Sequence, residues 1–176
     1  RTTYTGDGFT YSYAGGIIGR AGEHVTIDNC SNRDVGDVTS VGTYVGGLCE
    51  VSEGTIVNCS VSSIGSGTAD YVGGIAGVNK AGGEITDCSF ENRTVTGRNY
   101  VGGFTAENFG SIVHPSVNAA AVTAYGADGN VGGITGYNDE NGAVTLGQEV
   151  EISVSSAGDN VGGITGYNKG ILSVSG

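Results

Sequence analysis

The stretch YVGGIAGVN at residues 71–79 combines apolar residues with three glycines in nine positions. Related stretches recur along the 176-residue chain, as YAGGIIG, YVGGLCE, YVGGFTA and, twice, NVGGITG. Their Gly-Gly pairs begin at Gly15, Gly46, Gly73, Gly102, Gly132 and Gly162, at spacings of 31, 27, 29, 30 and 30 residues. Six copies of one unit indicate a repeat architecture, in which each unit stacks on its neighbours.

A second signature lies in the later half of the unit. It places an isoleucine three residues before a cysteine, in TIDNC (26–30), TIVNC (55–59) and EITDC (84–88). A third strand pattern follows, most clearly VEISVS at 150–155, where apolar and polar residues alternate. The sequence therefore predicts an all-β fold, a right-handed parallel β-helix or β-solenoid of about six coils, with ~30 residues and three short strands per coil.

An antiparallel sandwich or barrel is the alternative, since its strands also come at short, regular spacing. That architecture does not account for the self-similarity of whole units. Because the chain begins at Arg1 and shows no end caps, we expect residues 1–176 to be a single β-solenoid fragment of a longer protein. The repeat units lie at approximately 13–43, 44–70, 71–99, 100–129, 130–159 and 160–176.

The Gly-Gly pairs are expected to form corners between flat strands, where glycine supplies bends and positive φ. Val72 and Ile75 flank one pair and are three residues apart. Strict alternation would put them on opposite faces, whereas a corner lets both face the core. The sequence favours the corner.

Stacking converts equivalent residues of successive units into ladders, which we expect to be structural. The asparagine ladder satisfies its own amides or caps turns, and the cysteines are expected to be buried free thiols, because parallel Cβ vectors would strain a disulfide. The three ladders are Tyr13, Tyr44, Tyr71 and Tyr100, continued by Asn130 and Asn160; Asn79, Asn108, Asn138 and Asn168; and Cys30, Cys59 and Cys88.

The amino-acid composition argues against two classes of partner, nucleic acids and membranes. A net charge of −11 with only seven Lys and Arg residues argues against nucleic acid, whose phosphates need a basic stripe. No apolar run approaches the ~20 residues that cross a bilayer, so no direct membrane contact is expected.

Catalysis has little support in the sequence. The HExxH zinc motif is absent, and His24 and His114 occupy different coil positions, so neither is an evident base for a serine or cysteine nucleophile. His114 takes the place of Asn29, Asn58 or Asp87 in other units and is interpreted as a surface substitution. We therefore expect no enzyme activity, and a carbohydrate-active β-helix is a lesser alternative.

No cofactor or metal is expected, although Asp128 and Asp159 are weak calcium candidates, because they place oxygen ligands in adjacent coils. Stacked threonines at 105, 135 and 165 offer an ice-binding alternative if their side chains face outward.

The stretch YVGGIAGVNKAGGEITDCSFENRTVTG, residues 71–97, resembles the GLUG motif. In the first two units, Ala21 and Ser52 replace the motif's asparagine, and Glu50 replaces a glycine. The resemblance implies a secreted or wall-attached bacterial surface protein, such as the immunoglobulin A metallopeptidases that contain these repeats. It carries no catalytic residue onto this chain. The residues that match most specifically are Gly73, Gly74, Gly77, Asn79, Ile85 and Cys88.

Two functions remain. The first is a non-catalytic binding module that recognises a host protein, with immunoglobulin the first to test, or a host glycan; its aromatic candidates are Tyr125, Tyr137 and Tyr167. The second is a passive stalk that presents another domain. A binding module predicts one cohesive surface patch, and a stalk predicts none.

Overall fold

The computed structural model describes residues 14–33, 43–62, 64, 69–91, 94–118, 121–147 and 152–175. Every regular element in these ranges is a β-strand. No helix long and apolar enough to cross a membrane is found in them.

The strands form six groups in chain order, one for each predicted coil. Coil 1 contains β1 (Ala14–Gly15), β2 (Ile18–Ala21), β3 (Thr26–Asp28) and β4 (Ser31–Asn32). Coil 2 contains β5 (Tyr44–Gly46), β6 (Cys49–Ser52), β7 (Thr55–Val57) and β8 (Ser60–Val61). Coil 3 contains β9 (Tyr71–Gly73), β10 (Ala76–Asn79), β11 (Glu84–Thr86), β12 (Ser89–Glu91) and β13 (Thr94–Gly97).

The later coils follow the same plan. Coil 4 contains β14 (Tyr100–Gly102), β15 (Thr105–Asn108), β16 (Ser111–Val113), β17 (Ser116–Asn118) and β18 (Ala121–Ala124). Coil 5 contains β19 (Asn130–Gly132), β20 (Thr135–Asn138), β21 (Ala143–Leu146) and β22 (Val154–Ser156). Coil 6 contains β23 (Asn160–Gly162), β24 (Thr165–Asn168) and β25 (Ile171–Val174).

Equivalent strands of successive coils pair in parallel and build five sheets. Sheet 1 runs β1-β5-β9-β14-β19-β23, sheet 2 runs β2-β6-β10-β15-β20-β24, and sheet 3 runs β3-β7-β11-β16-β21-β25. Sheet 4 runs β4-β8-β12-β17, and sheet 5 runs β13-β18-β22. The fold is a β-solenoid, as predicted; its right-handed sense stays a prediction.

The number of strands per coil is larger than the predicted three, since coils 3 and 4 each contain five. The Gly-Gly corner divides the first predicted strand into β9 and β10. A left-handed residue divides the second into β11 and β12, and the same conformation recurs in four coils, at Asn29 (φ 50), Asn58 (φ 52), Asp87 (φ 49) and His114 (φ 48).

The Gly-Gly corner is confirmed, because Val72 and Ile75 are both fully buried in the core. The expectation that these glycines adopt positive φ is wrong: among the glycines described, only Gly82 does. Glycine is needed here for space. A Cβ on Gly73 would lie 1.9 Å from the carbonyl oxygen of Ala76, and one on Gly74 would lie 2.0 Å from that of Gly103 in the next coil.

The core runs along the solenoid axis inside the sheets. Phe90 of β12 and Phe104 at the sheet 1 corner are its largest fully buried side chains. The second glycine of the corner makes room for the first of these, since a Cβ on Gly74 would lie 2.7 Å from Phe90 Cδ2. In coil 6 the equivalent apolar positions are more exposed, at 48% for Val161 and 44% for Leu172.

Candidate functional site

The tyrosine ladder stacks on sheet 1. The ring centroids of Tyr44 and Tyr71 are 4.5 Å apart, and those of Tyr71 and Tyr100 are 4.6 Å apart. Tyr13 lies outside the described residues. After Tyr100 the column changes to asparagine, and Asn160 Nδ2 donates to Asn130 Oδ1 at 2.7 Å.

The asparagine ladder lies at the end of the sheet 2 strands, with Asn79, Asn108 and Asn138 buried and Asn168 exposed. Asn79 Nδ2 donates to Asn108 Oδ1 (2.9 Å), and Asn108 Nδ2 donates to Asn138 Oδ1 (2.8 Å). Asn138 Nδ2 continues to Asn168 Oδ1 at 2.8 Å. Each amide also donates to a carbonyl of the following turn, as Asn108 does to Gly110 O at 3.1 Å. The ladder therefore bonds to itself and to the backbone, and Asn79 Oδ1 at its first rung is buried without a hydrogen-bond partner.

The cysteines are free thiols, with Cys59 and Cys88 buried and Cys30 half-buried. Cys59 Sγ donates to Val57 O at 3.1 Å, and Cys88 Sγ donates to Thr86 O at 3.3 Å. Burial raises the pKa of Cys88 to about 12, so its thiol stays protonated and unreactive at neutral pH. Cys49, which lies off the column, is buried in the core.

The inward direction of the asparagine side chains fixes the direction of the side chains next to them in sequence. Side chains alternate along a strand, so the residues on either side of each asparagine face outward together. In coils 3 to 6 this brings five side chains into one patch, which we call the aromatic–lysine surface: Lys80, Phe109, Tyr137, Tyr167 and Lys169.

The rings of this surface stack more loosely than the tyrosine ladder. The Tyr137 and Tyr167 centroids are 5.9 Å apart at an interplanar angle of 11°, and Phe109 meets Tyr137 at 6.3 Å and 57°. Lys80 Nζ lies 5.3 Å from the Phe109 centroid, and Lys169 Nζ lies 5.7 Å from both tyrosine centroids. These are cation–π distances. Tyr167 remains 42% exposed.

Two carboxylates border the surface. Glu107 lies in register with Tyr137, and its Oε2 accepts a 2.9 Å hydrogen bond from the Tyr44 hydroxyl. Burial raises the pKa of Glu107 above its usual value, while the Tyr44 bond and Lys80 oppose the rise. The pKa of Asp139 is lowered, chiefly by the backbone N–H of Asn141. The pKa of Lys169 is raised, first by its hydrogen bond with Tyr137, so the ammonium stays charged.

Residues 68–96 match the family model described as the GLUG motif, and the matched stretch spans strands β9 to β12 of coil 3. The protein carries a GLUG motif. A search of curated proteins finds no match for the chain, and a search of solved structures finds none either. Together with the β-solenoid, the GLUG motif fits a repeat module of a surface protein.

Coils 5 and 6 bring two of the three candidate tyrosines together. Tyr137 and Tyr167 stack in adjacent coils, whereas Tyr125 follows β18 on a different sheet, where it is 50% exposed and its N–H donates to Gly97 O.

The calcium candidates Asp128 and Asp159 are exposed. No group of three or more His, Cys, Asp or Glu residues that would hold a metal is found in the described part of the chain. The threonines that offered an ice-binding face do not point outward: Thr105 and Thr135 are fully buried, and their hydroxyls hydrogen-bond to each other at 3.1 Å.

Sequence reasoning missed Lys80, Phe109 and Lys169. Each directly follows an asparagine of the ladder. The position after the asparagine is therefore the sequence signal that could have identified them. Their chemistry differs from coil to coil, and a search for repeated residues passes over such a column.

Proposed function

We propose that this protein is a binding module of a secreted or wall-attached bacterial surface protein, and that the aromatic–lysine surface contacts a host protein. The observation that carries the proposal is the placement of both lysines of the sequence, Lys80 and Lys169, over aromatic rings of one patch. The chain as a whole has a net charge of −11. Aromatic side chains beside cations are typical of contact hot spots.

A protein partner is favoured over a glycan by the orientation of the rings. A sugar ring stacks on an open aromatic face. Here Tyr137 and Tyr167 cover each other, and Lys169 lies over both. The Tyr137 hydroxyl already donates to Asp139 Oδ2 at 3.2 Å, so the ring edges and the Tyr167 hydroxyl remain for edge contacts and hydrogen bonds with a protein. The resemblance to the repeats of immunoglobulin A peptidases makes immunoglobulin the first partner to test.

The test is capture by the immobilised protein, first of purified immunoglobulins and then from serum and mucosal secretions, with mass spectrometry of the eluate. We expect one protein class to be captured and lost in the double variant Tyr137→Ala/Tyr167→Ala. Tyr125→Ala removes an exposed tyrosine outside the surface and is the matched control. Capture that fails only with Tyr125→Ala places the site elsewhere, and no capture by folded protein favours the stalk.

We expect the same capture in EDTA, because the aromatic–lysine surface needs no metal. A loss of capture in EDTA would instead implicate Asp128 and Asp159 as calcium ligands. Glycan binding in place of protein capture would overturn the choice of partner while leaving the surface in place.

A further inference from the structure

A groove crosses coils 3 to 6 at the bend between sheets 3 and 4, away from the aromatic–lysine surface. Its volume is about 530 Å³, and it is lined by Asp87, Cys88, Ser89, His114, Ser116, Gly147 and Ser175. Three of these residues, Asp87, His114 and Ser175, come from coils 3, 4 and 6 and are connected by hydrogen bonds.

The connection runs through both ring nitrogens of one histidine. His114 Nδ1 lies 3.1 Å from Asp87 Oδ1, and His114 Nε2 lies 3.2 Å from Ser175 Oγ. A carboxylate on one nitrogen and a hydroxyl on the other is the arrangement by which a histidine activates a serine. The His114 and Asp87 side chains are 45% and 53% exposed, so the group is open to substrate.

The backbone shapes this arrangement at two places. His114 has a left-handed φ of 48°, in the column that Asn29 and Asn58 occupy in other coils. The ring then lies across coil 5 at Gly147, where a Cβ would come within 2.7 Å of His114 Cδ2. Without a side chain at residue 147, the imidazole spans coil 5 and reaches Ser175 in coil 6.

We propose that Ser175, His114 and Asp87 form a nucleophilic site that hydrolyses short-chain carboxylic esters. In the first step Ser175 Oγ attacks the ester carbonyl and its proton passes to His114 Nε2. The C–O bond to the alcohol then breaks, the alcohol leaves with that proton, and the acyl group stays on Ser175. A water molecule next attacks the acyl carbon and gives a proton to His114 Nε2. The bond between the acyl carbon and Ser175 Oγ then breaks, the acid leaves, and His114 returns the proton to Ser175 Oγ.

The groove restricts the substrate. It is open, and its walls carry the serines Ser89 and Ser116 and no apolar tunnel for a long acyl chain. An acetyl or similarly short ester fits such walls. Cys88 also lines the groove, but burial keeps its pKa near 12, so Ser175 is the nucleophile.

Ser175 has a competing contact, because its hydroxyl also donates to Leu146 O at 3.2 Å. A substrate carbonyl must draw the hydroxyl away from Leu146 and toward His114. Asp87 touches only the histidine and is therefore a positioning residue: its charge stabilises the imidazolium and holds the ring in its tautomer.

The first test is labelling with a fluorophosphonate, with the modified residue located by mass spectrometry. We expect Ser175 to be labelled, and labelling to be lost in His114→Asn, which keeps a residue type that the left-handed position accepts in Asn29 and Asn58. Ser155→Ala, an exposed serine on β22, is the control and should change nothing. No labelling of Ser175 above the level at other serines overturns the proposal.

The second test is hydrolysis of p-nitrophenyl acetate. We expect Ser175→Ala to lower the rate at least about tenfold, and Asp87→Asn to lower kcat while leaving KM unchanged. Hydrolysis that survives Ser175→Ala but not His114→Asn shows a lone imidazole and overturns the serine mechanism. An unchanged rate of hydrolysis in all three variants shows that no such site exists.

Discussion

Coils 2 and 3 place Val51 and Val78 in the sheet 2 column where coils 5 and 6 place Tyr137 and Tyr167. Val78 is fully buried, whereas Tyr167 is 42% exposed. The neighbouring sheet 1 column changes in the opposite sense, from tyrosine in coils 2 to 4 to asparagine in coils 5 and 6. One backbone therefore carries tightly stacked aromatic rings in one region and more loosely stacked rings in the other.

The difference separates rings that stabilise the fold from rings that are available to a partner. The Tyr44 hydroxyl reaches Glu107, which continues the valine column, so the tyrosine ladder crosses over that column and covers it. The Tyr137 and Tyr167 rings stack more loosely, with centroids 5.9 Å apart, and this favours a binding role for their column.

The largest effect on stability is expected at the Gly-Gly corner, which both regions share. Gly74→Ala places a methyl group 2.0 Å from Gly103 O and against Phe90, so we expect a loss of more than about 3 kcal/mol or no folding. Gly163→Ala is the matched control, because its Cβ would meet nothing within 4 Å, and it should stay within about 0.5 kcal/mol. Urea unfolding measures both, and equal effects would contradict the corner geometry.

The asparagine ladder should show a similar contrast between two positions, with a smaller loss in the free energy of unfolding. Asn108→Ala removes a donor from Asn138 and an acceptor from Asn79 in a buried column, so a loss of about 2–4 kcal/mol is expected. Asn168→Ala acts at the exposed last rung and should cost under about 1 kcal/mol. Both values come from chemical denaturation; a cost at Asn168 as large as at Asn108 would show that burial is not the cause.

The two tyrosine columns differ in what a truncation should remove. Tyr71→Ala loses stacking on both sides and should lower the free energy of unfolding by about 2–3 kcal/mol while leaving capture intact. Tyr167→Ala loses one looser partner and should cost less than about 1 kcal/mol while weakening capture. Melting curves and the capture assay decide, and the reverse pattern would exchange the roles of the two columns.

The smallest effect is expected at the boundary residue Glu107. Its pKa is raised by burial, so the folded state binds the proton more tightly and stability falls as pH rises from the unfolded pKa through the folded one. Glu107→Gln should therefore raise the Tm at neutral pH by about 1–3 °C and have no effect in acid, where the carboxyl is protonated in both states. A gain that persists at acid pH would point to a cause other than the charge.

The repeat pattern predicted the parallel coils and which residues at the Gly-Gly corner face the core. The Gly-Gly spacing led to parallel coils, and the corner at Gly73 put Val72 and Ile75 on the same side. The reason assigned to the glycines was nevertheless wrong, because close approach of neighbouring backbones, and not positive φ, requires them. The distance between two coils cannot be read from either coil alone.

The candidate sites were less predictable. Tyr137 and Tyr167 were recognised because they repeat at equivalent positions, but Lys80 and Phe109 do not repeat each other's chemistry. His114 was interpreted as a surface substitution, since its relation to Ser175 spans 61 residues and depends on the missing side chain at Gly147.

The sequence by itself determined the solenoid, its coil length and its inward ladders, because a parallel stack turns each repeated residue into contact with its own copies. The tertiary structure decided which non-repeated residues meet. Stacking aligns every column whatever its chemistry, and it thereby brings Lys169 over Tyr137, and Asp87 and Ser175 to opposite sides of one imidazole. Those meetings depend on the rise between coils and on the direction of each side chain, which period and composition do not encode.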